Sequence, residues 1–327
     1  MTLTALDTFL DPLKALFAED GIQEISINRP GEAWVERFGD MRYEPLPMMT
    51  LEHMRSLAHL VAQSTSQTIS EEKPLLSATL PEGYRIQIVF PPACADGGIA
   101  MSIRKQATLA MTLDTYEQLG AFENTKTGLG VHDPADDVLM DLYNKGDVKS
   151  FITHAIQYKK NVIISGGTST GKTTFLNAAL KTVPTTERLI TVEDAREVMI
   201  DHIPNRVHML VSKGGQGRAK VTTQELIEAC LRLRPDRIIV GELRGAEAFS
   251  YLRAVNTGHP GSVATLHADT PELAIEQLIL MIMQADLGIT REQIKAYVES
   301  VIQVIIQLKR GEKGKRFVSE IYFKPMR

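Results

Sequence analysis

The sequence predicts an α/β protein in two parts: a C-terminal domain on a largely parallel sheet, preceded by a smaller α+β domain. Three observations carry this. From residue 136 onward, short apolar strands alternate with helical segments, as in a parallel sheet with right-handed crossovers. In the first 122 residues, extended segments are instead split by short turn signals, as in an antiparallel sheet. Residues 161–174, NVIISGGTSTGKTT, join an apolar strand to a helix through a loop of small residues. A chain of 327 residues is long enough for each part to have its own core.

In order, Leu3, Leu6, Phe9, Leu10, Leu13, Leu16 and Phe17 repeat at helical spacing, interrupted by Pro12. Only Lys14 stands against Asp7, Asp11, Glu19 and Asp20. This charge pattern disfavours anionic lipid and predicts packing on the helix's own domain. Segments 24–28, 33–37 and 41–44, separated by Arg29-Pro30-Gly31-Glu32 and Phe38-Gly39-Asp40, read as a β-meander. A helix follows over 51–63, then strands over 84–90 and 99–104, each carrying an arginine, Arg85 and Arg104. Residues 123–135, ENTKTGLGVHDPA, are polar and glycine-rich and read as the linker between domains 1–122 and 136–327.

The C-terminal half opens with helix over 136–157 and then the strand and helix that flank the small-residue loop. Strands follow at 189–194, 207–211, 237–242 and 262–267, and a hairpin over 303–323 ends the chain. Thr222-x-x-Glu225 is a capping box that opens a helix running to about Arg234.

Gly166 through Thr173 fits G-x-x-x-x-G-K-[ST], the phosphate-binding P-loop. Glycines let successive backbone N–H groups of Gly166, Gly167, Thr168, Ser169, Thr170 and Gly171 curl around a polyphosphate. The helix beginning near Thr174 aims its positive end at the same anion. Lys172 is expected to reach the β- and γ-phosphates of ATP, and the Thr173 hydroxyl to ligate Mg²⁺. In open α/β sheets ligands sit beyond the carboxyl ends of the strands. Other strands here end in Glu193 and Asp194, in Glu242 and in His267. One nucleotide site is the predicted result. Glu242 is positioned to activate the attacking water or to hold a Mg²⁺-bound water, and Glu193 to serve the same ion. His267 is expected to sense the γ-phosphate; His259, just before the same strand, is the weaker candidate.

Net charge is −4, so no global basic field advertises nucleic acid. The two cysteines, Cys94 and Cys230, make neither a disulfide framework nor a metal cluster and fit a reducing cytosol. No stretch approaches the ~18 apolar residues of a membrane span, which predicts a cytoplasmic chain with at most peripheral membrane association. The N-terminus has no signal-peptide pattern.

The boxes GGTSTGKTT, TVEDARE, LRLRPDRIIVGELRGAEA and GHPGSVATLHAD, in that order over residues 166–269, resemble those of the secretion traffic ATPases. These are the cytoplasmic motors of bacterial type IV secretion and conjugation, related to type II secretion and pilus motors. Lack of a four-cysteine insertion is more similar to the type IV branch. The resemblance implies a RecA-like ATPase core, a hexameric ring, and ATP bound between the two domains. It implies as partners the inner-membrane components and other ATPases of a secretion machine, with the chain at the inner-membrane face. It also implies that Arg85 and Arg104 reach the phosphates, and that hydrolysis moves the N-terminal domain against the core. Ala195 departs from the proline that related motors often carry, which bears on loop shape rather than on chemistry.

Two other functions fit parts of the pattern. A nucleotide-gated assembly scaffold would bind ATP without needing Glu242 and His267. A helicase or packaging ATPase would need an aromatic and basic strand-binding stripe, which the sequence lacks.

Overall fold

A computed structural model describes residues 2–105, 112–125, 133–211 and 219–326. The N-terminal amphipathic stretch forms α1 (Thr2–Phe9) and α2 (Asp11–Ala18). The break falls where Pro12 enters the first turn of α2, a position whose N–H has no helical partner anyway. Leu6, Leu10, Leu13 and Phe17 are buried, so this stretch packs on its own domain as expected.

The strands are β1 (Ile22–Ile27), β2 (Gly31–Arg37), β3 (Asp40–Leu46), β4 (Leu75–Thr79), β5 (Arg85–Val89) and β6 (Ala100–Arg104), with α3 (Leu51–Ser64) between β3 and β4. They form one antiparallel sheet in the order β3-β2-β1-β6-β5-β4. The sequence reading lacks β4. Ser77 and Ala78 give it weak strand character, and its pairing with β5 at the sheet edge supplies what propensity does not. A short helix, α4 (Leu113–Gln118), follows, and it buries no side chain. Of the expected linker, residues 126–132 lie outside the described residues.

The core begins with α5 (Pro134–Asn144) and α6 (Val148–Gln157), one expected helix divided at Gly146 and restarted by Asp147 as N-cap. Next come β7 (Val162–Gly166), α7 (Lys172–Leu180), β8 (Leu189–Glu193), β9 (Arg206–Leu210), α8 (Thr223–Cys230), β10 (Arg237–Val240), α9 (Glu247–Asn256) and β11 (Val263–Leu266). The chain ends with α10 (Pro271–Met283), α11 (Arg291–Val301), β12 (Val304–Arg310) and β13 (Arg316–Phe323). The capping box at Thr222 and Glu225 is present. Helix α8 stops at Cys230, short of the expected Arg234. Arg234 is left-handed, and Pro235 after it disfavours helix at its predecessor. The seven strands run β13-β12-β7-β11-β10-β8-β9, all parallel except β13 at the edge. Apolar side chains on β7, β8, β10 and β11 are fully buried between helical layers, as a two-faced parallel sheet requires.

A polar seam joins the domains. Leu210 N donates to Ala93 O at 2.8 Å, and Cys94 bridges antiparallel to Met209, so the N-terminal domain extends the edge of the core sheet. Arg188, fully buried, donates to Asn28 Oδ1 at 2.6 Å, to Leu233 O at 2.9 Å and to Asn205 Oδ1. Asn28 in turn donates to Asn205 at 2.9 Å. Burial lowers the Arg188 guanidinium to about 10, a value at which it stays charged at neutral pH.

Candidate active site

Strand β7 delivers the chain to the carboxyl end of the sheet, and the P-loop turns back into α7 there. A Cβ on Gly166 would sit 2.5 Å from Thr170 Oγ1 and 2.8 Å from Leu308 O, so the loop closes only over a glycine. Ser169 and Gly171 take positive φ, 60° and 89°, which curls the backbone over the α7 N-terminus. Lys172 is buried. Its ammonium donates to Gly166 O at 3.0 Å and Gly167 O at 3.4 Å, so it is held inside the cradle. Burial, reinforced by the Arg244 cation and opposed by Glu242, keeps this ammonium below its ordinary value.

The strand-end groups converge as expected. His267, after β11, has both ring nitrogens 3.3 Å from Lys172 Nζ, and its Nε2 lies 3.1 Å from Glu242 Oε1. Arg244 donates to Glu242 Oε2 at 2.9 Å and also to Asp194. A continuous chain thus runs from Lys172 through His267, Glu242 and Arg244 to Asp194. Burial raises the Glu242 carboxyl, but the Arg244, His267 and Lys172 charges outweigh it and hold the net value below the usual range. Glu242 is therefore a carboxylate, able to accept a proton.

Glu193 has a second task. Its Oε2 accepts from the backbone N–H groups of Glu197 and Val198, each at 2.8 Å, and so folds the acidic-box loop. Ala195 is tolerated because these bonds, rather than a proline ring, set the loop. Burial raises the Glu193 carboxyl, while His208, the two backbone donors and Thr191 lower it further. Its other oxygen, Oε1, is buried and faces His208 Nδ1 at 3.8 Å. Glu197 of the same loop reaches Thr173 Oγ1 at 3.4 Å.

Thr173, Glu193, Asp194 and Glu242 line one pocket. A hydroxyl and three carboxylates make an all-oxygen lining that fits a hard cation such as Mg²⁺. Thr173 would hold it directly, and Glu193 and Glu242 through water. Among the described residues, no His, Cys, Asp and Glu cluster is arranged to hold a metal by itself, so phosphate oxygens and water would complete the shell.

Arg85 and Arg104 do not meet the P-loop within one chain. Within the chain they stand as neighbours on β5 and β6 and line a different cavity, of about 420 Å³, with Arg232, Arg234 and His259. Arg234 and His259 precede β10 and β11, so this cavity lies at the amino edge of the core sheet. The P-loop is at the carboxyl edge. The cleft between the two halves of one chain is therefore not the P-loop pocket. Neither the Arg85 nor the Arg104 side chain makes a hydrogen bond or ion pair among the described residues, although the Glu24 carboxyl lines the same cavity and feels the Arg104 charge. His259 sits at this far end too, with Nδ1 2.7 Å from Pro235 O.

Two residues near the P-loop escape sequence reading. The exposed Arg316, at the start of β13, lies against Gly171: a Cβ there would meet its Cδ at 2.8 Å and its Nε at 3.5 Å. Gln307, buried in β12, donates to Ala268 O at 3.0 Å and so holds the residue next to His267. A polar residue inside the apolar run Val304–Leu308 is the signal that marks Gln307. Nothing local marks Arg316.

A P-loop cradle at the carboxyl edge of a parallel sheet, faced by a histidine and carboxylates from neighbouring strands, defines the nucleotide-binding ATPases of RecA-like fold. Comparison narrows the class. Residues 9–321 match the model of the Type II/IV secretion system protein family, and the chain belongs to that family. It is 39% identical to the type IV secretion system protein VirB11 of Bartonella henselae, over 100% of this chain and 95% of that one. It is 36% identical to the type IV secretion system protein PtlH of Bordetella pertussis, over 98% and 95%. The fold matches the crystal structure of the VirB11 ATPase from the Brucella suis type IV secretion system in complex with sulphate. There the TM-score is 0.93 and identity 35%, covering 99% of this chain and 96% of that one. Among the described residues, no helix is long and apolar enough to cross a membrane.

Proposed function

We propose that the chain is the ATP-hydrolysing motor of a type IV secretion system, driving pilus assembly or the transfer of DNA or protein. The observation that carries this is the chain from Lys172 through His267 to Glu242. A site built only to hold nucleotide gains nothing from a carboxylate and a histidine wired to the P-loop lysine.

Lys172 would leave the Gly166 and Gly167 carbonyls for the β- and γ-phosphates, and the α7 N-terminus would hold the same anion. Glu242 would orient the attacking water and accept its proton, and His267, between Glu242 and Lys172, would register loss of the γ-phosphate. Mg²⁺, when bound, supplies charge neutralisation on the phosphates. Arg316 would contact the nucleotide from the Gly171 side. Arg85 and Arg104 would act on the triphosphate held by a second copy, because their own P-loop is at the opposite edge of the sheet. A closed ring, which the family resemblance makes a homo-hexamer, would bring each amino-edge cavity to the next copy's P-loop. Inner-membrane components and other ATPases of the secretion machine are the partners this work requires, at the cytoplasmic face of the membrane.

The test is Glu242→Gln. It should bind ATP normally, hydrolyse it about a hundredfold more slowly and fail to support transfer. Full transfer by that variant would leave only a scaffold.

A further inference from the structure

A second cavity, of about 310 Å³, lies on the domain seam, lined by the β1–β2 turn, the Cys94–Gly98 loop and β9. That volume is at the lower end for small-molecule sites. Three guanidinium groups meet there: Arg29 from the N-terminal domain, and Arg196 and Arg206 from the core. Arg29 is held by Glu32 and donates to Pro204 O at 2.7 Å. Arg196 and Arg206 both reach Asp201, at 3.5 Å and 3.0 Å, and Arg206 also donates to Ile203 O at 2.8 Å. Burial and then the Arg29 charge push the Arg206 guanidinium down, against Asp201, and Arg196 adds to the push. His208 lines the same cavity; its ring is buried, and its Nε2 has no partner among the described residues. Gly97 leaves open space where a side chain would stand.

We propose that this seam cavity binds a small phosphate-bearing ligand through Arg29, Arg196 and Arg206. Guanidinium groups match phosphate oxygens in pairs, and three of them from two domains would clamp the ligand across the seam. The ligand would also be felt at the P-loop pocket. Arg196 belongs to the loop whose Asp194, Ala195 and Glu197 line that pocket, and Glu197 faces Thr173. This coupling rests on reading that pocket as the nucleotide site; the binding itself does not.

Inorganic pyrophosphate is the probe, titrated into the full chain with ADP saturating the P-loop. It should bind, and Arg206→Gln should weaken it about tenfold or more. Arg196→Gln, a change on an exposed loop, should weaken it likewise in a chain that folds normally. Binding untouched by both arginine changes would place it outside the seam cavity and overturn the proposal. A parallel arm uses vesicles containing phosphatidic acid. Retention there, lost in both arginine variants, would support the site with a lipid headgroup as its phosphate source. No binding of either probe at millimolar concentration overturns it.

Discussion

The two edges of the core sheet hold their charges differently. At the carboxyl edge Lys172, His267, Glu242, Arg244 and Asp194 satisfy one another, and Glu193 is tied to its own loop. At the amino edge the Arg85 and Arg104 side chains stand on adjacent strands without a hydrogen bond or ion pair to any described residue. One edge is wired through charged pairs before a nucleotide arrives; the other keeps two arginine side chains unpaired, with the buried Glu24 as the nearby carboxyl. On the proposed reading, the catalytic set is divided between surfaces that one chain does not bring together.

The most severe test of that division uses two crippled chains. Lys172→Ala and Arg104→Ala should each lower ATP turnover at least about a hundredfold. Mixed in one assembly, they should regain measurable turnover, because some sites then pair an intact P-loop with an intact arginine. No recovery in co-assembled chains breaks the two-edge reading.

Next in size is the seam that fixes the edges relative to one another. Arg188→Met would strand the acceptors of Asn28, Asn205 and Leu233 in a buried place, at a cost of about 2–3 kcal/mol. Chemical denaturation should report the loss, with the two domains melting less cooperatively.

Smaller effects sharpen the carboxyl edge. Gly171→Ala must take a φ of 89° and displace Arg316, so nucleotide affinity should fall about tenfold. Arg316→Ala should cost about threefold in a nucleotide titration, the scale of a partly exposed charge contact. If Arg316→Ala is silent, Arg316 only covers the loop.

The smallest effect is a pH dependence. The Glu193 carboxyl is held below its ordinary value of 4.5, so its contribution to stability is present above that value and lost as pH falls through the lowered one. Glu193→Gln should flatten the acid limb of a stability-against-pH curve. An unchanged limb would mean that the bonds to Glu197 and Val198 carry no net stability.

The sequence made the carboxyl edge readable because its parts are local. A P-loop, strand ends at Glu193, Glu242 and His267, and a capping box at Thr222 each declare themselves within a few residues. The destination of Arg85 and Arg104 was not readable. Their strands were, but where that sheet docks depends on Asn28, Asn205 and Arg188, polar residues scattered over some 180 positions. Arg316 reaches Gly171 only because β12 pairs beside β7 and β13 returns along it, a register no local pattern encodes. Strand β4 was hidden for a different reason: small residues at an edge have little propensity of their own.

The bond from Leu210 N to Ala93 O, with the Cys94–Met209 bridge, has a mechanical consequence. It rivets the two domains of a chain at the rim of the sheet, so a hinge between them would have to shear backbone hydrogen bonds at every cycle. Work is more cheaply done where no such rivet exists, at the contact between one copy's P-loop and the next copy's arginines. In the proposed ring the moving part would then be the joint between chains, with each chain turning as a solid cog.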